Sequence, residues 1–156
     1  MDPSNYFRKL FEYDYWANSE ALAGLATVLS ERPLKILGHV IGAQRAWLSR
    51  LEPEGPAIFE PWPALSLDES KSAVEDLHQR WMAFLAKLSP EQTSQDLTYR
   101  NSKGIEFRTP VEDVLQHVAL HSAYHRGQVA AAIREGGGQP RATDYVAYVR
   151  QHPQDL

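Results

Sequence analysis

Three histidines spaced four residues apart are the side chains of this sequence best suited to chemistry: His117, His121 and His125. Successive residues of a helix are rotated by about 100°, so side chains four positions apart differ by roughly 40° and lie on one face. Two imidazoles at this spacing can bind one metal ion through their ring nitrogens. The pattern therefore predicts a helix that carries a metal site.

A second interpretation stays open, because the three histidines border the apolar stripe of their own helix. The stripe beside His121 is formed by Val114, Val118, Val129 and Ala132. A buried imidazole without a partner costs on the order of 1–3 kcal/mol, so a histidine at such an edge needs either a hydrogen-bond partner or a metal. The alternative to a metal site is a set of groove histidines that ordinary hydrogen bonds satisfy.

Hydrophobic periodicity and helix start signals predict four long amphipathic helices that would position these side chains. Such a set of helices predicts an all-α four-helix bundle, in which metal sites are built from facing helices. The first helix runs towards about residue 28 with Asp2 as its N-cap, the second spans about 34–51 after Pro33, and the third follows the capping box of Ser66 and Glu69.

The fourth predicted helix carries the three histidines. Thr109 and Glu112 have the spacing of a capping box, and Pro110 between them suits the first position of a helix. Gly136 begins a run of three glycines that would end the helix. The start at Thr109 is the strongest helix signal in the chain.

Two segments between the helices are predicted to lack helical structure. Residues 52–63 contain four prolines and form a long loop, and loops of that length usually cover a functional region. Residues 97–99 and 105–107 flank a turn with Gly104 in the pattern of a small hairpin between the third and fourth helices. Such a hairpin is too small to be stable alone and has to pack against the helices.

A third metal ligand should come from another helix of the bundle. His39 lies at the edge of the apolar arc of the second helix, whereas His78 on the third helix is expected to be solvated. Together with His121 and His125, His39 would give three nitrogen ligands and leave coordination positions for water or substrate, as in catalytic zinc sites. The alternative is that His39 is a buried structural histidine that bonds a carbonyl.

The size and composition suit one soluble domain over residues 1–156. Hydrophobic residues make up 43% of the chain, yet no apolar run approaches the roughly 20 residues that a membrane span needs. Residues 1–5 lack the basic and apolar regions of a signal peptide. We therefore expect a cytoplasmic protein with no membrane partner.

Charge and cysteine content restrict the partners and the chemistry further. The net charge of −4 and the pI near 5.8 argue against a nucleic-acid partner, since such proteins usually carry a basic excess. The chain contains no cysteine. Any metal is therefore bound by nitrogen and oxygen, and any thiol that takes part in the chemistry has to come from outside.

Five segments spread over essentially the whole chain form a recognisable pattern: residues 14–18, 37–40, 46–51, 121–128 and 143–146. The most specific element is the His-Arg-Gly-Gln sequence that ends the fourth segment, at Gln128. Together these segments resemble the DinB/YfiT-like family of metalloenzymes. The resemblance implies a right-handed up-down-down-up four-helix bundle, commonly a homodimer, that binds a divalent metal through three histidines.

By position, the resemblance implies that the metal ligands are His39, His121 and His125. Relatives often have a histidine where His117 stands, and we interpret His117 as a neighbour that shapes the site. Zinc or nickel is the usual metal in such relatives. A site made of imidazoles alone suits either metal and also suits ferrous iron.

Several other polar residues are candidates for roles near such a site. Gln128 lies close to His121 on the helical wheel and could hydrogen-bond a metal-bound water, orient a ligand, or simply pack at the bundle rim. Asp14 is a candidate general base, and Gln44 could also reach the metal cavity, although both could be ordinary boundary residues. Arg126 is expected to pair with a carboxylate, and Gly127 is expected to permit close helix packing.

The resemblance implies an enzyme that acts on a small-molecule substrate. Members of the wider superfamily include thiol S-transferases and a thiol-dependent isomerase. A divalent metal lowers the pKa of a bound water towards 7 and deprotonates a bound thiol, so either a low-molecular-weight thiol or water could be the nucleophile. The sequence does not separate an S-transferase from a hydrolase, and it does not define the substrate.

Two alternatives without catalysis stay open. The chain could be a metal-binding or stress-response helical dimer whose three-histidine site has no turnover, or a helical dimerisation module whose histidines bind nothing. An enzyme needs a metal with an exchangeable ligand that solvent can reach, whereas a structural metal site is closed. These properties can be measured separately.

Overall fold

Four long helices, two short ones and a two-stranded hairpin make up the chain in the computed structural model, which describes residues 3–52 and 54–153, with side chains from residue 5. The N-cap predicted at Asp2 lies outside the described residues. None of the helices within the described ranges is both long and apolar enough to cross a membrane. The elements are α1 (Pro3–Leu25), α2 (Arg32–Leu51), α3 (Leu67–Lys87), α4 (Pro90–Thr93), β1 (Asp96–Arg100), β2 (Glu106–Pro110), α5 (Val111–Glu135) and α6 (Tyr145–Gln151).

The four long helices form a bundle in which α1 and α2 lie diagonally opposite each other. Each of them packs mainly against α3 and α5. Arg32 at the start of α2 forms an ion pair of 2.6 Å with Glu135 at the end of α5, so these two helices are antiparallel. The Tyr6 hydroxyl donates a hydrogen bond to Gln116 at the start of α5, so α1 and α5 run in the same direction.

The contacts of His78 fix the direction of α3. Its Nε2 lies 2.9 Å from a carboxylate oxygen of Glu12, and its ring stacks on Tyr15, whose hydroxyl donates to Glu75 one turn earlier in α3. Helix α3 is therefore antiparallel to α1, which completes the up-down-down-up order implied by the resemblance. The prediction that His78 is solvated is wrong, because its side chain is 20% exposed and has both partners.

The core lies between the four long helices and includes the apolar stripe predicted beside the histidines. Val114, Val118, Val129 and Ala132 are all buried, so α5 presents to the interior the face that its periodicity indicates. On α2, Leu37, Val40, Ile41 and Leu48 are buried against them. The histidines at the edge of the α5 stripe are thereby held at the border between core and solvent.

Two capping boxes were predicted, at Ser66 and at Thr109, and the structure confirms the first of them. The Ser66 hydroxyl accepts a hydrogen bond from the Glu69 amide, and the Glu69 carboxylate accepts one from the Ser66 amide. The predicted cap at Thr109 is wrong. Thr109 belongs to β2, its hydroxyl hydrogen-bonds that of Tyr99, and α5 begins at Val111 without a side-chain cap.

The hairpin explains this difference, because its ladder continues to the first residue of the helix. β1 and β2 pair in antiparallel register, with Leu97 opposite Thr109. The Val111 amide then donates to the carbonyl of Gln95, so the backbone that a cap would satisfy is already paired. Gly104 takes a φ of 75° in the turn, as the predicted hairpin requires.

Candidate metal centre

Three histidines from α2 and α5 meet at the edge of the bundle. One ring nitrogen each of His39, His121 and His125 lies within 4.8 Å of the others. The ring centroids are 4.5 Å apart for His121 and His125, 4.6 Å for His39 and His125, and 5.0 Å for His39 and His121. All three side chains are half-buried. The structure thus brings together the three residues that the resemblance implies as ligands.

His117 lies one turn further towards the start of α5 and outside this group. Its ring centroid is 5.6 Å from that of His121, and its ring meets the indole of Trp47 edge-on at 5.5 Å. Trp47 in turn contacts Tyr99 of the hairpin. His117 is therefore placed as a neighbour of the three-histidine group, beside an aromatic cluster.

The ring of His39 is held by the proline-rich loop between α2 and α3. Its Nδ1 lies 2.6 Å from the carbonyl oxygen of Pro61. A carbonyl only accepts hydrogen bonds, so Nδ1 carries the proton and Nε2 keeps its lone pair. The indole of Trp62 stacks on the same ring. The alternative of a histidine bonded to a carbonyl is thus correct for one nitrogen, and it leaves the other nitrogen available as a ligand.

Residues 60–63, which we call the strap, reach His39 because two residues of α2 lack side chains. A Cβ atom at Gly42 would lie 2.5 Å from the carbonyl oxygen of Glu60, and one at Gly38 would lie 3.0 Å from that of Pro63. The spacing of these glycines around His39 was a signal in the sequence that we did not interpret. By contrast, the prediction for Gly127 is wrong, since a Cβ there would meet nothing within 4 Å.

His125 is oriented in the same way by a side chain of its own helix. Its Nδ1 lies 2.7 Å from Oε1 of Gln128. With the amide oxygen accepting, Nδ1 carries the proton and Nε2 is free to bind a metal. Gln128 is exposed and follows His125 by three residues, so its contact is local to α5. Gln128 therefore orients the ring of His125.

The structure places Asp14 in the interior, where it contacts other buried polar groups. It is 3% exposed and pairs with Arg126, as expected for that arginine. It also accepts hydrogen bonds from Asn18 and Gln44. Gln44 is buried too and bonds Ser122 instead of reaching the histidines. The carboxylate is therefore brought to Arg126 and not to the three-histidine group.

The electrostatics of the group favour the neutral form of His121 and His39. Burial, and then the neighbouring histidines, lower the pKa of His121 to about 4. Burial also lowers the pKa of His39, although the hydrogen bond to Pro61 opposes the shift. Neutral rings are the form that binds metals. Three imidazoles, two of them already oriented through Nδ1, form a donor set that fits zinc, nickel or ferrous iron.

Two comparisons with known proteins identify the family of the chain. The model of the DinB family matches residues 5–156. The chain is also similar to a curated protein named Protein DinB from Bacillus subtilis (strain 168). The two sequences are 26% identical over an alignment of 165 positions, which covers 94% of this chain and 95% of that protein. The match spans nearly the whole chain, including both helices that carry the three histidines. The chain therefore belongs to the DinB family.

Proposed function

We propose that this protein is a metal-dependent enzyme that activates a low-molecular-weight thiol or water for attack on a small-molecule substrate. His39, His121 and His125 would hold the metal. The observation that carries the proposal is that one imidazole nitrogen from each of these three residues lies within 4.8 Å of the others, although the residues come from two different helices. The group contains no carboxylate, which suits a borderline metal such as zinc or nickel over magnesium or calcium.

The ligand number and the exposure of the group support catalysis over a structural metal site. Structural zinc sites usually have four protein ligands and are closed, whereas catalytic sites have three and keep a position for water or substrate. Among the described residues, three histidines come together, and each is half-buried, so solvent reaches part of each side chain. A bound divalent metal would supply a Lewis acid that lowers the pKa of a thiol or a water.

The chain's own residues would orient the ligands and shield one side of the site. The strap carbonyl of Pro61 and the amide of Gln128 fix the protonated nitrogen of His39 and of His125. Trp62 covers one face of His39 with an apolar ring. Because the chain has no cysteine, a thiol nucleophile would come from a second small molecule, which is compatible with an S-transferase-like reaction as well as a hydrolase-like one.

The metal content of untagged protein, purified without immobilised nickel, tests the ligand assignment. We expect about one equivalent of zinc, nickel or iron in the wild type. His39→Ala, His121→Ala and His125→Ala should each lose it. His117→Ala is the matched control and should keep it. Loss in the His117→Ala and His121→Ala variants alone would move the site along α5 and overturn the assignment.

Activity is then measured on the metal-loaded protein. Loss of free thiol in the presence of a small electrophile reports S-transfer, and release of acid from a small ester reports hydrolysis. Either activity should disappear in His121→Ala and persist in His117→Ala. Metal binding without any turnover would support the alternative of a non-catalytic metal-binding dimer, and absence of metal even after reconstitution would end the proposal.

A further inference from the structure

A buried polar network lies behind the three-histidine group and joins all four long helices. Its members are Asp14 and Asn18 of α1, Gln44 of α2, Trp81 of α3, and Ser122 and Arg126 of α5. Each is at most 4% exposed. Six buried polar side chains in the middle of a bundle are costly unless they pair with one another, so their arrangement is specific.

Gln44 is the centre of this network. Its Nε2 donates to Asp14 and to the Ser122 hydroxyl at 3.0 Å, and its Oε1 accepts the indole N–H of Trp81 at 3.1 Å. An indole nitrogen only donates and a carboxylate only accepts, so the amide has one allowed orientation. A single side chain of α2 is thereby bonded to each of the three other long helices.

The bond between Gln44 and Ser122 connects the two helices that carry the proposed metal ligands. Ser122 directly follows His121 on α5, and Gln44 follows His39 by five residues on α2, which is about 7.5 Å along a helix. Arg126, which directly follows His125, is tied to α1 through Asp14 and Asn18. The network therefore fixes the position of α5 relative to α2 and α1 within about two turns of the histidines.

A metal site needs this precision, because metal–ligand distances tolerate only about 0.2 Å of error. His121 and His125 keep their relative position through the helix they share. His39 reaches them only through the packing of α2 against α5. We infer that Gln44 and Ser122 are positioning residues for the metal centre, which hold α2 against α5 so that His39 stays in register with the two histidines of α5. This inference rests on the proposed function.

Two variants test the bond with little change of shape. Ser122→Ala removes the hydroxyl and nothing else. Gln44→Met keeps a long unbranched side chain and removes all of its hydrogen bonds. Ser66→Ala is the matched control, because it also deletes one serine hydroxyl, and that hydroxyl bonds the Glu69 amide at the start of α3 and not a residue of α2 or α5.

Three quantities are measured for the wild type and each variant: the affinity for cobalt(II), the visible ligand-field spectrum of the cobalt form, and the melting temperature. Each Ser→Ala change should lower the melting temperature by a few degrees. Only Ser122→Ala and Gln44→Met should also weaken cobalt binding, by roughly tenfold or more, and shift the spectrum. Ser66→Ala should leave affinity and spectrum unchanged. A merely structural role predicts the loss of stability alone in all three variants.

Proton NMR of the metal-free protein gives a second readout. The rings of His39 and His125, with centroids 4.6 Å apart, should show cross-relaxation that weakens in Ser122→Ala and persists in Ser66→Ala. Unchanged cross-relaxation and unchanged cobalt affinity in both network variants would overturn the inference while leaving the metal site intact. A wild type that binds no cobalt would instead overturn the proposed function, and the inference with it.

Discussion

The imidazole of His39 stacks on the indole of Trp62, with ring centroids 4.1 Å apart and ring planes inclined by 13°. Trp62 is 58% exposed and belongs to the strap. The neighbouring residue of the strap, Pro61, accepts a hydrogen bond from Nδ1 of the same imidazole through its carbonyl oxygen. A proposed metal ligand is therefore in direct contact with a surface loop. Metal binding to His39 and the environment of Trp62 in the loop should therefore be coupled.

Tryptophan fluorescence should report metal binding through Trp62. Nickel or cobalt added to the metal-free protein should quench emission and saturate at about one equivalent, because both ions quench nearby excited rings. The chain has four tryptophans, so the control matters. Trp62→Phe should remove most of the change, whereas Trp16→Phe should keep it, since Trp16 packs with Tyr13 and Tyr148 instead of the histidines. Equal losses in both variants would contradict the coupling.

Gly42→Ala should displace the strap. The added Cβ would lie 2.5 Å from the Glu60 carbonyl oxygen and 2.7 Å from Cδ of Pro63, and these are not flexible side-chain ends. We expect a loss of about 1–3 kcal/mol in the free energy of unfolding, measured with urea, and weaker metal binding. Gly127→Ala is the control, because open space surrounds that position and alanine favours the helix. Its stability should be unchanged or up to about 1 kcal/mol higher.

The long helices and the pairing of His121 with His125 could be predicted because they depend on local spacing. The separation of His121 and His125 places them on one face of any helix, and the valines beside them indicate which side faces the core. The third histidine could be proposed from its place at the edge of an apolar arc. Which histidines of α5 lie beside His39 depends on how α2 packs against α5, and no local sequence pattern predicts that packing.

Local patterns are insufficient where a distant contact decides the structure. Thr109 has the sequence of a helix cap, but pairing with Leu97 keeps it in the strand. Asp14 has the chemistry of a base, and its local sequence does not show that α5 brings Arg126 to it, where a buried guanidinium needs a carboxylate partner. The sequence predicts the strap over His39 only as part of a long loop that covers a functional region. Its register depends on the absence of side chains at Gly38 and Gly42.

Gln128→Ala should weaken metal binding without unfolding the protein. It removes the acceptor that keeps the proton of His125 on Nδ1, and loss of such a partner typically costs 10–100-fold in affinity. Because Gln128 is exposed and water can replace it, we expect an effect of about tenfold or less. Gln128→Glu keeps an acceptor oxygen and should retain or strengthen binding. Competition with a chromophoric chelator measures both. Equal affinities for all three proteins would exclude the orienting role.

Acid should destabilise the metal-free protein through His121. Its pKa is lowered from 6.5 to about 4 in the folded state, mainly by burial. Between these values the unfolded chain takes up a proton at this residue that the folded chain does not, so the free energy of unfolding falls as the pH falls from about 6.5 towards 4. Above pH 7 both states are neutral at this residue, and no dependence remains.

The comparison of wild type with His121→Gln isolates this contribution from that of the carboxylates. Urea midpoints between pH 7.5 and 4.5 should fall less steeply in the variant, because it has no group to protonate at this position. Parallel curves would mean that His121 titrates normally in the folded protein.

Saturating zinc should raise the urea midpoint of the wild type near pH 7.5, and this increase should become smaller as the pH falls, since protons and metal compete for the same ring nitrogens.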